Sequence, residues 1–275
     1  MPLFFFISGY LLYHTKLRHQ AGFRDILHSR ISRIVFPYVF ITISLFLIKG
    51  FLPGIFNQNV DFTPGGLLNI FLYPVNNPLI TLWFLDVLLI FFLTAPLLML
   101  VLKKKIYEVF FGILVILMAI FTPDDILLFD ISTAALYYMF FYGGILICKY
   151  LKSDKISVLI PLAGLIFIVL YYFLDLHMIV KFTGTIILSV YIVKLLADNS
   201  MFLVRGFSSY YYQIYLFGTL AQVAVYETTI RTGITSVWIH IPVSIMAGIW
   251  IPVIISKLIM KSDIRILKIL TGFKS

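Results

Sequence analysis

The sequence predicts an all-α fold, a polytopic transmembrane helix bundle of about nine spans, on three observations. Of the 275 residues, 61% are hydrophobic and 12% charged, with a mean hydropathy of +1.05; soluble domains carry about 25% charge. Apolar runs recur along the whole chain at lengths near the ~20 residues that cross a bilayer. The basic residues alternate between dense and sparse loops, as the positive-inside rule requires. Together these exclude a soluble enzyme, a disordered tail and a secreted disulfide scaffold. The single cysteine, Cys148, cannot form an internal bridge and lies within an apolar run. A net charge of +9 would suggest nucleic acid in a soluble protein. Here it belongs to the loops of a membrane protein, whose partner is the lipid bilayer and not nucleic acid.

The runs fall at about 1–13, 34–52, 79–102, 106–121, 132–148, 156–174, 178–193, 207–226 and 234–256. Those at 106–121, 132–148 and 178–193 are short, and one more helical turn each brings them to spanning length. The first would cover only about 20 Å of a core about 30 Å thick. It lacks the basic start and small-residue cleavage site of a signal peptide. It is therefore expected to be a clipped span, with one further helix upstream making ten. The connection between Phe51 and Asn77 is the longest. It is punctuated by Pro53-Gly54, Pro64-Gly65-Gly66 and Pro74, and carries a short apolar patch, Leu67–Tyr73. That patch reads as an interfacial or re-entrant helix. Asp61, Asn76 and Asn77 in this loop suit sugar hydroxyls or plain solvation equally.

Assigning the basic residues to alternate sides tests these boundaries. One side receives Lys16, Arg18, Arg24, Arg30 and Arg33; Lys103–Lys105; Lys149, Lys152 and Lys155; Lys194 and Arg205; and Lys257, Lys261, Arg265, Lys268 and Lys274. The other receives Lys49, Lys181 and Arg231, with Asp124, Asp125 and Asp130 in its loop around 122–131. Eighteen of 21 basic residues thus share one side, which predicts a multi-pass protein of the cytoplasmic membrane with a cytoplasmic C-terminus and Met1 at the outer face.

Two places in this frame offer chemistry. The stretch Phe23–Ile34 has apolar residues at helical spacing, as in a helix lying at the interface. Arg30 and Arg33, three residues apart, share one face of it. Paired guanidiniums offer forked donors to phosphate groups, and anchoring against anionic headgroups explains them too. Asp86 is the one acid well inside a long run, one turn from Trp83. A mid-membrane carboxylate costs about 2.5–3.5 kcal/mol, so it lines a substrate cavity or bonds another helix. No glycine-rich phosphate loop and no metal-ligand spacing occurs in the sequence. His14, His19 and His28 lie in the basic loop, while His177 and His240 flank external turns. No catalytic residue and no metal is therefore assigned.

The segment Met1-Pro2-Leu3-Phe4-Phe5-Phe6-Ile7-Ser8-Gly9-Tyr10-Leu11 resembles the second-helix motif of the acyltransferase-3 family of integral membrane acyltransferases. Phe23…Arg30-Ile31-Ser32-Arg33-Ile34-Val35-Phe36-Pro37-Tyr38 is similar to that family's basic segment. Leu82-Trp83-Phe84-Leu85 resembles its Trp-Phe-Leu element, and Ser209-Tyr210…Ile214-Tyr215-Leu216-Phe217 its penultimate helix. The matches keep the family's order and cover the chain almost end to end. The resemblance implies ten helices and transfer of an acyl group, typically acetyl, from acyl-CoA to a cell-surface glycan or related acceptor. It implies coenzyme A phosphates at Arg30 and Arg33, and the acceptor near Trp83 and Asp86. It also implies a single domain over 1–275 lacking the family's first helix, and with it the catalytic histidine, so the chain as given is not expected to turn over acyl-CoA. Many members carry a histidine after the Leu-Phe pair, where this sequence has Gly218.

The competing reading is a transporter or flippase of a lipid-linked glycan. The lack of an internal repeat and of a second mid-span charge favours the enzyme. The topology is testable by cysteine labelling. Asn77→Cys or Asp125→Cys will react with a membrane-impermeant thiol reagent added outside, and Lys104→Cys or Lys268→Cys will be spared; the reverse pattern overturns the orientation.

Overall fold

The computed structural model describes the chain outside residues 52–60, 124–125, 151–158, 175–179, 182, 189, 192–209, 234–235, 263 and 274–275. Pro53-Gly54, Asp124, Asp125, Lys152, Lys155, His177, Lys194, Arg205, Ser209 and Lys274 therefore lie outside the described residues. All regular structure among the described residues is helical. The helices are α1 Pro2–Thr15, α2 Phe23–Arg30, α3 Phe36–Phe51, α4 Pro64–Leu72, α5 Trp83–Leu93, α6 Ala95–Val101, α7 Lys105–Phe121, α8 Ile131–Tyr150, α9 Leu159–Leu174, α10 Tyr211–Arg231, α11 Val237–Lys261 and α12 Arg265–Leu270. All but α2, α4 and α12 coincide with eight of the nine apolar runs, and residues 183–188 of the remaining run are helical as well.

Helix and span are different quantities, and the helix lengths do not confirm the count of nine spans. Among the described residues three helical stretches are long and apolar enough to cross a membrane alone: Phe23–Phe51, Leu128–Tyr150 and Val237–Lys261. The pair α5 and α6, bent by 47°, makes a fourth. The bend has a local cause. Pro96 supplies no N–H, and its ring displaces the carbonyl of the preceding turn. The helix expected over 23–34 runs on into the next one. Residues 23–51 form one continuous helical stretch, joined through a π-helical turn at Ile31–Val35 in which Phe36 N–H bonds to the Ile31 carbonyl. The wider turn sits just before Pro37, where a regular α-turn would drive the proline ring into the Arg33 carbonyl.

The chain divides into two compact units interleaved in sequence. The first comprises residues 1–26, 90–126 and 131–202. Its centre is an aromatic cluster in which fully buried Phe5 meets Phe91 at 5.1 Å between ring centroids, and Phe91 meets Phe141 at 5.0 Å and Tyr138 edge-on at 4.9 Å. α1 and α8 touch backbone to backbone: a Cβ on Gly9 would collide with the Phe141 carbonyl, and one on Gly144 with the Phe6 carbonyl. Small residues at such crossings are what lets membrane helices pack on dispersion forces alone. α7 joins α8 through a buried polar network. Glu108, only 5% exposed, pairs with Lys149 at 2.5 Å and accepts from Tyr150 Oη at 2.6 Å. Tyr142 Oη donates to the Glu108 carbonyl and Lys149 Nζ to the Leu102 carbonyl, each at 3.0 Å.

The second unit comprises residues 27–89, 127–130 and 203–275. α10 and α11 form its helical hairpin, pinned near the turn by Thr229 Oγ1 against His240 Nδ1 at 2.8 Å. α12 ends in a Schellman motif: Gly272 takes φ +80°, its N–H bonds to the Ile269 carbonyl and the Phe273 N–H to that of Lys268. This turn sets Gly272 against the Tyr212 ring and Pro37.

Adjacent glycines on α8 give a controlled test of the first unit. Gly144→Ala will lower the thermal midpoint of the detergent-solubilised protein by the equivalent of about 1–3 kcal/mol of overpacking. Gly143→Ala, whose Cβ meets nothing within 4 Å, will leave it unchanged or raise it slightly, as replacing a helical glycine should.

Candidate functional site

The candidate residues Arg30, Arg33, Trp83 and Asp86 all fall in the second unit, along α2–α3 and at the start of α5. The π-turn changes the relation between the arginines. In a regular helix residues 30 and 33 would share a face; across the wider turn Arg30 is half-buried while Arg33 is exposed. They remain close enough to repel one another electrostatically, so an anion approaching Arg33 from outside also feels Arg30. The pair thus consists of one exposed and one half-buried arginine.

Asp86 is not in the middle of a helix. The run read as one span from 79 starts with a 3₁₀ turn, Ile80–Leu82, and α5 begins at Trp83. Asp86 therefore stands in the first turn of α5, where the aligned peptide dipoles favour negative charge. That position offsets part of the cost of a carboxylate among apolar helices. Trp83 lies one turn before it, half-buried, its ring edge-on to Phe84 at 6.5 Å.

Around the carboxylate the unit gathers groups that the sequence reading did not assign to a site. Tyr38, buried on α3, points its hydroxyl at Asp86, Asn77 and Thr42. Neither the Tyr38 hydroxyl nor Asp86 Oδ2 completes a well-formed hydrogen bond among the described residues. Tyr215 of α10 lies within electrostatic reach of Asp86. It donates to the Thr81 carbonyl at 2.5 Å and packs edge-on against Phe84 at 5.4 Å, tying α10 to the start of α5. Tyr212 lies close to Tyr215. Its hydroxyl, like Oε1 of Gln213 (3% exposed), is buried without a hydrogen-bond partner among the described residues. Buried polar atoms are nearly always bonded, so the unfilled hydroxyl of Tyr38 beside Asp86, with Tyr212 close to Tyr215, marks a place built for something besides packing. Chemically it offers a carboxylate acceptor and several hydroxyls, a set suited to a neutral, hydroxyl-bearing ligand. Arg33 lies about 14 Å along the helix from Thr42, so one helix carries the exposed cation, Tyr38 and Thr42 in sequence.

Asn77 turns out differently from its expected place in a solvated loop. It is 3% exposed, donates to Thr42 Oγ1 at 3.1 Å and accepts from the Leu79 N–H at 3.0 Å. It fastens the loop to α3 and is not available to a sugar; exposed Asn76 is the better position for labelling. Asp61 is exposed and accepts from Thr63 Oγ1 at 3.1 Å, while Thr63 caps α4 through the Gly66 N–H at 3.0 Å. Gly218 has a packing reason. A Cβ there would stand 2.8 Å from the Gly248 carbonyl, so the histidine that many acyltransferase-3 members place at this point would not fit. Tyr38 and Tyr215 sit inside the sequence motifs. Their signal was a phenol on a helix otherwise free to be apolar, and Gln213 gave the same signal as an amide.

Comparison with known proteins gives one result. The acyltransferase-3 family model, described as an acyltransferase domain, matches residues 1–257, which includes every residue of the polar cluster. No curated protein and no solved structure shows significant similarity to the chain.

The geometry separates structural from ligand-facing polar groups. Asn77→Ala strips partners from Thr42 and from the Leu79 N–H, and will destabilise the solubilised protein by about 1–3 kcal/mol, read as a lowered thermal midpoint. Tyr38→Phe removes a hydroxyl that completes no well-formed hydrogen bond, and the midpoint will stay within about 0.5 kcal/mol of wild type.

Proposed function

The chain belongs to the acyltransferase-3 family, and from that membership we propose that this membrane acyltransferase is an O-acyltransferase carrying an acyl group, acetyl in the first instance, from acyl-CoA to a hydroxyl of a cell-surface carbohydrate or related glycan acceptor. The observation that carries the reading is the polar cluster of the second unit: Asp86 and the Tyr38 hydroxyl, adjacent and incompletely bonded, in surroundings that are otherwise apolar. A glycan presents many hydroxyls, each a donor and an acceptor, and the cluster offers complementary groups at one place.

In this reading Arg33 and Arg30 take the phosphates of coenzyme A. The 3′-phosphate and pyrophosphate carry several charges, and a guanidinium meets each with a planar fork of donors. Asp86 and Tyr38 orient the acceptor hydroxyl, and half-buried Trp83 offers an apolar platform for a sugar ring one helical turn away. Transfer forms a bond from the acceptor oxygen to the acyl carbon and breaks the carbon–sulfur bond, releasing the coenzyme A thiol. These residues bind and orient; the proton of the acceptor hydroxyl goes to a group outside them. We place the protein in the cytoplasmic membrane with its C-terminus inside, on the distribution of basic residues.

Coenzyme A binding, followed by calorimetry on the solubilised chain, tests the donor half. The double variant Arg30→Lys, Arg33→Lys keeps both charges but loses the fork. Affinity is expected to fall roughly ten- to a hundredfold, since each charge-assisted contact is worth about 1.5–3 kcal/mol, with expression unchanged. Asp86→Asn will leave coenzyme A affinity at the wild-type value. Equal affinities for wild type and the double lysine variant would assign the arginines to lipid headgroups. A chain that binds lipid-linked glycan and no coenzyme A would be a transporter instead.

A further inference from the structure

The first unit carries a feature that the acyl-transfer reading does not use. Residues 105, 108, 109, 112, 113 and 116 recur at helical spacing along one face of α7 and, with Leu146 and Tyr150 of α8, line a groove of about 460 Å³. A second hollow of about 430 Å³ continues over Gly143, Leu146, Ile147 and Tyr150. Two glycines open these grooves with no demand from packing. A Cβ on Gly143 would meet nothing within 4 Å, and one on Gly112 only an ordinary contact with Tyr142 at 3.6 Å. Gly9 and Gly144, by contrast, are required by backbone contact.

The groove has a polar end and an apolar end. Val109, Ile113 and Ile116 are each about half exposed along it. At the other end stand Lys103, Lys104 and Lys105, all exposed. Among the described residues the one acid there, Glu108, is already engaged by Lys149 and Tyr150, so the described side chains give that end a net positive charge. From Lys105 to Ile116 the helix rises about 16 Å, close to half of the ~30 Å hydrocarbon core. The apolar track therefore has the depth of a single leaflet, and it ends where the cations begin.

We propose that this face of α7 and α8 binds one anionic bilayer phospholipid, its phosphate among Lys103–Lys105 and one acyl chain lying in the groove past Gly112 and Gly143. The cluster of lysines selects the headgroup charge, and the missing side chains make room for the tail. A bulk membrane lipid, and not a long polyprenyl chain, fits a track that is one leaflet deep.

Native mass spectrometry of the full-length chain in detergent, incubated with dioleoyl-phosphatidylglycerol or dioleoyl-phosphatidylcholine, tests this. One phosphatidylglycerol is expected to be retained per chain in preference to phosphatidylcholine. Replacing Lys103, Lys104 and Lys105 by Gln will lower retention by about fivefold per lysine that contacts the headgroup. Filling the groove with Gly112→Leu and Gly143→Leu will lower it about tenfold through lost chain burial, with the thermal midpoint unchanged. If the filled variant does not fold, the lysine variant alone decides. Equal retention of the two lipids, retention undiminished in the lysine variant or in a folded groove-filled variant, or displacement of phosphatidylglycerol by an equimolar polyprenyl phosphate would overturn the proposal.

Discussion

A carboxylate among apolar helices has no solvent to fall back on, and much of the second unit can be understood as the arrangement that accommodates Asp86. The 3₁₀ turn before α5 moves the helix start to Trp83, so that the acid occupies the first turn, where peptide dipoles act as fixed partial positive charge. Tyr215 bonds back to Thr81 in that turn and so fixes α10 to the helix start. Asn77 holds the preceding loop against Thr42, which keeps α3 and Tyr38 alongside. Shift the start of α5 by one turn and the acid would lose its dipole, while the tyrosines would lose their register with it.

The two units treat buried polar groups in opposite ways. In the first, Glu108, Lys149, Tyr142 and Tyr150 satisfy one another. Such a closed network rigidifies a helix pair and leaves nothing over for a ligand. In the second, Tyr38, Asp86, Tyr212 and Gln213 retain unused bonding capacity within the bundle. Removing a member of the first set breaks existing bonds, whereas removing one of the second breaks few or none. Side-chain satisfaction thus separates scaffold from site in a chain where burial alone does not, because residues of both kinds are buried.

Much of this was legible in the sequence. Composition fixes the class of solvent, and apolar runs place the helices, because backbone groups in hydrocarbon must bond within their own segment. The motifs around Arg30, Pro37, Trp83 and Tyr215 identified the family, and they fall in the unit that holds the polar cluster. Three things were not legible. Helix lengths depend on local breaks such as Pro96, which bends one apparent span into two helices. The π-turn before Pro37 lies between a half-buried Arg30 and an exposed Arg33, and periodicity counted at 3.6 residues per turn cannot register it. The fate of Asn77 depends on a partner 35 residues away, and a loop asparagine gives no sign of that.

The Schellman turn at the end of α12 has a bearing on where this protein may be cut. Family similarity stops at residue 257, within α11 and ahead of α12. Yet Gly272 beyond it rests on the Tyr212 ring and on Pro37, at the junction where the arginine segment enters α3. Trimming the chain to the boundary suggested by similarity would strip a wall from the polar cluster while leaving every motif residue in place. Sequence boundaries record where relatives stop looking alike, and here the folded cluster reaches past that line.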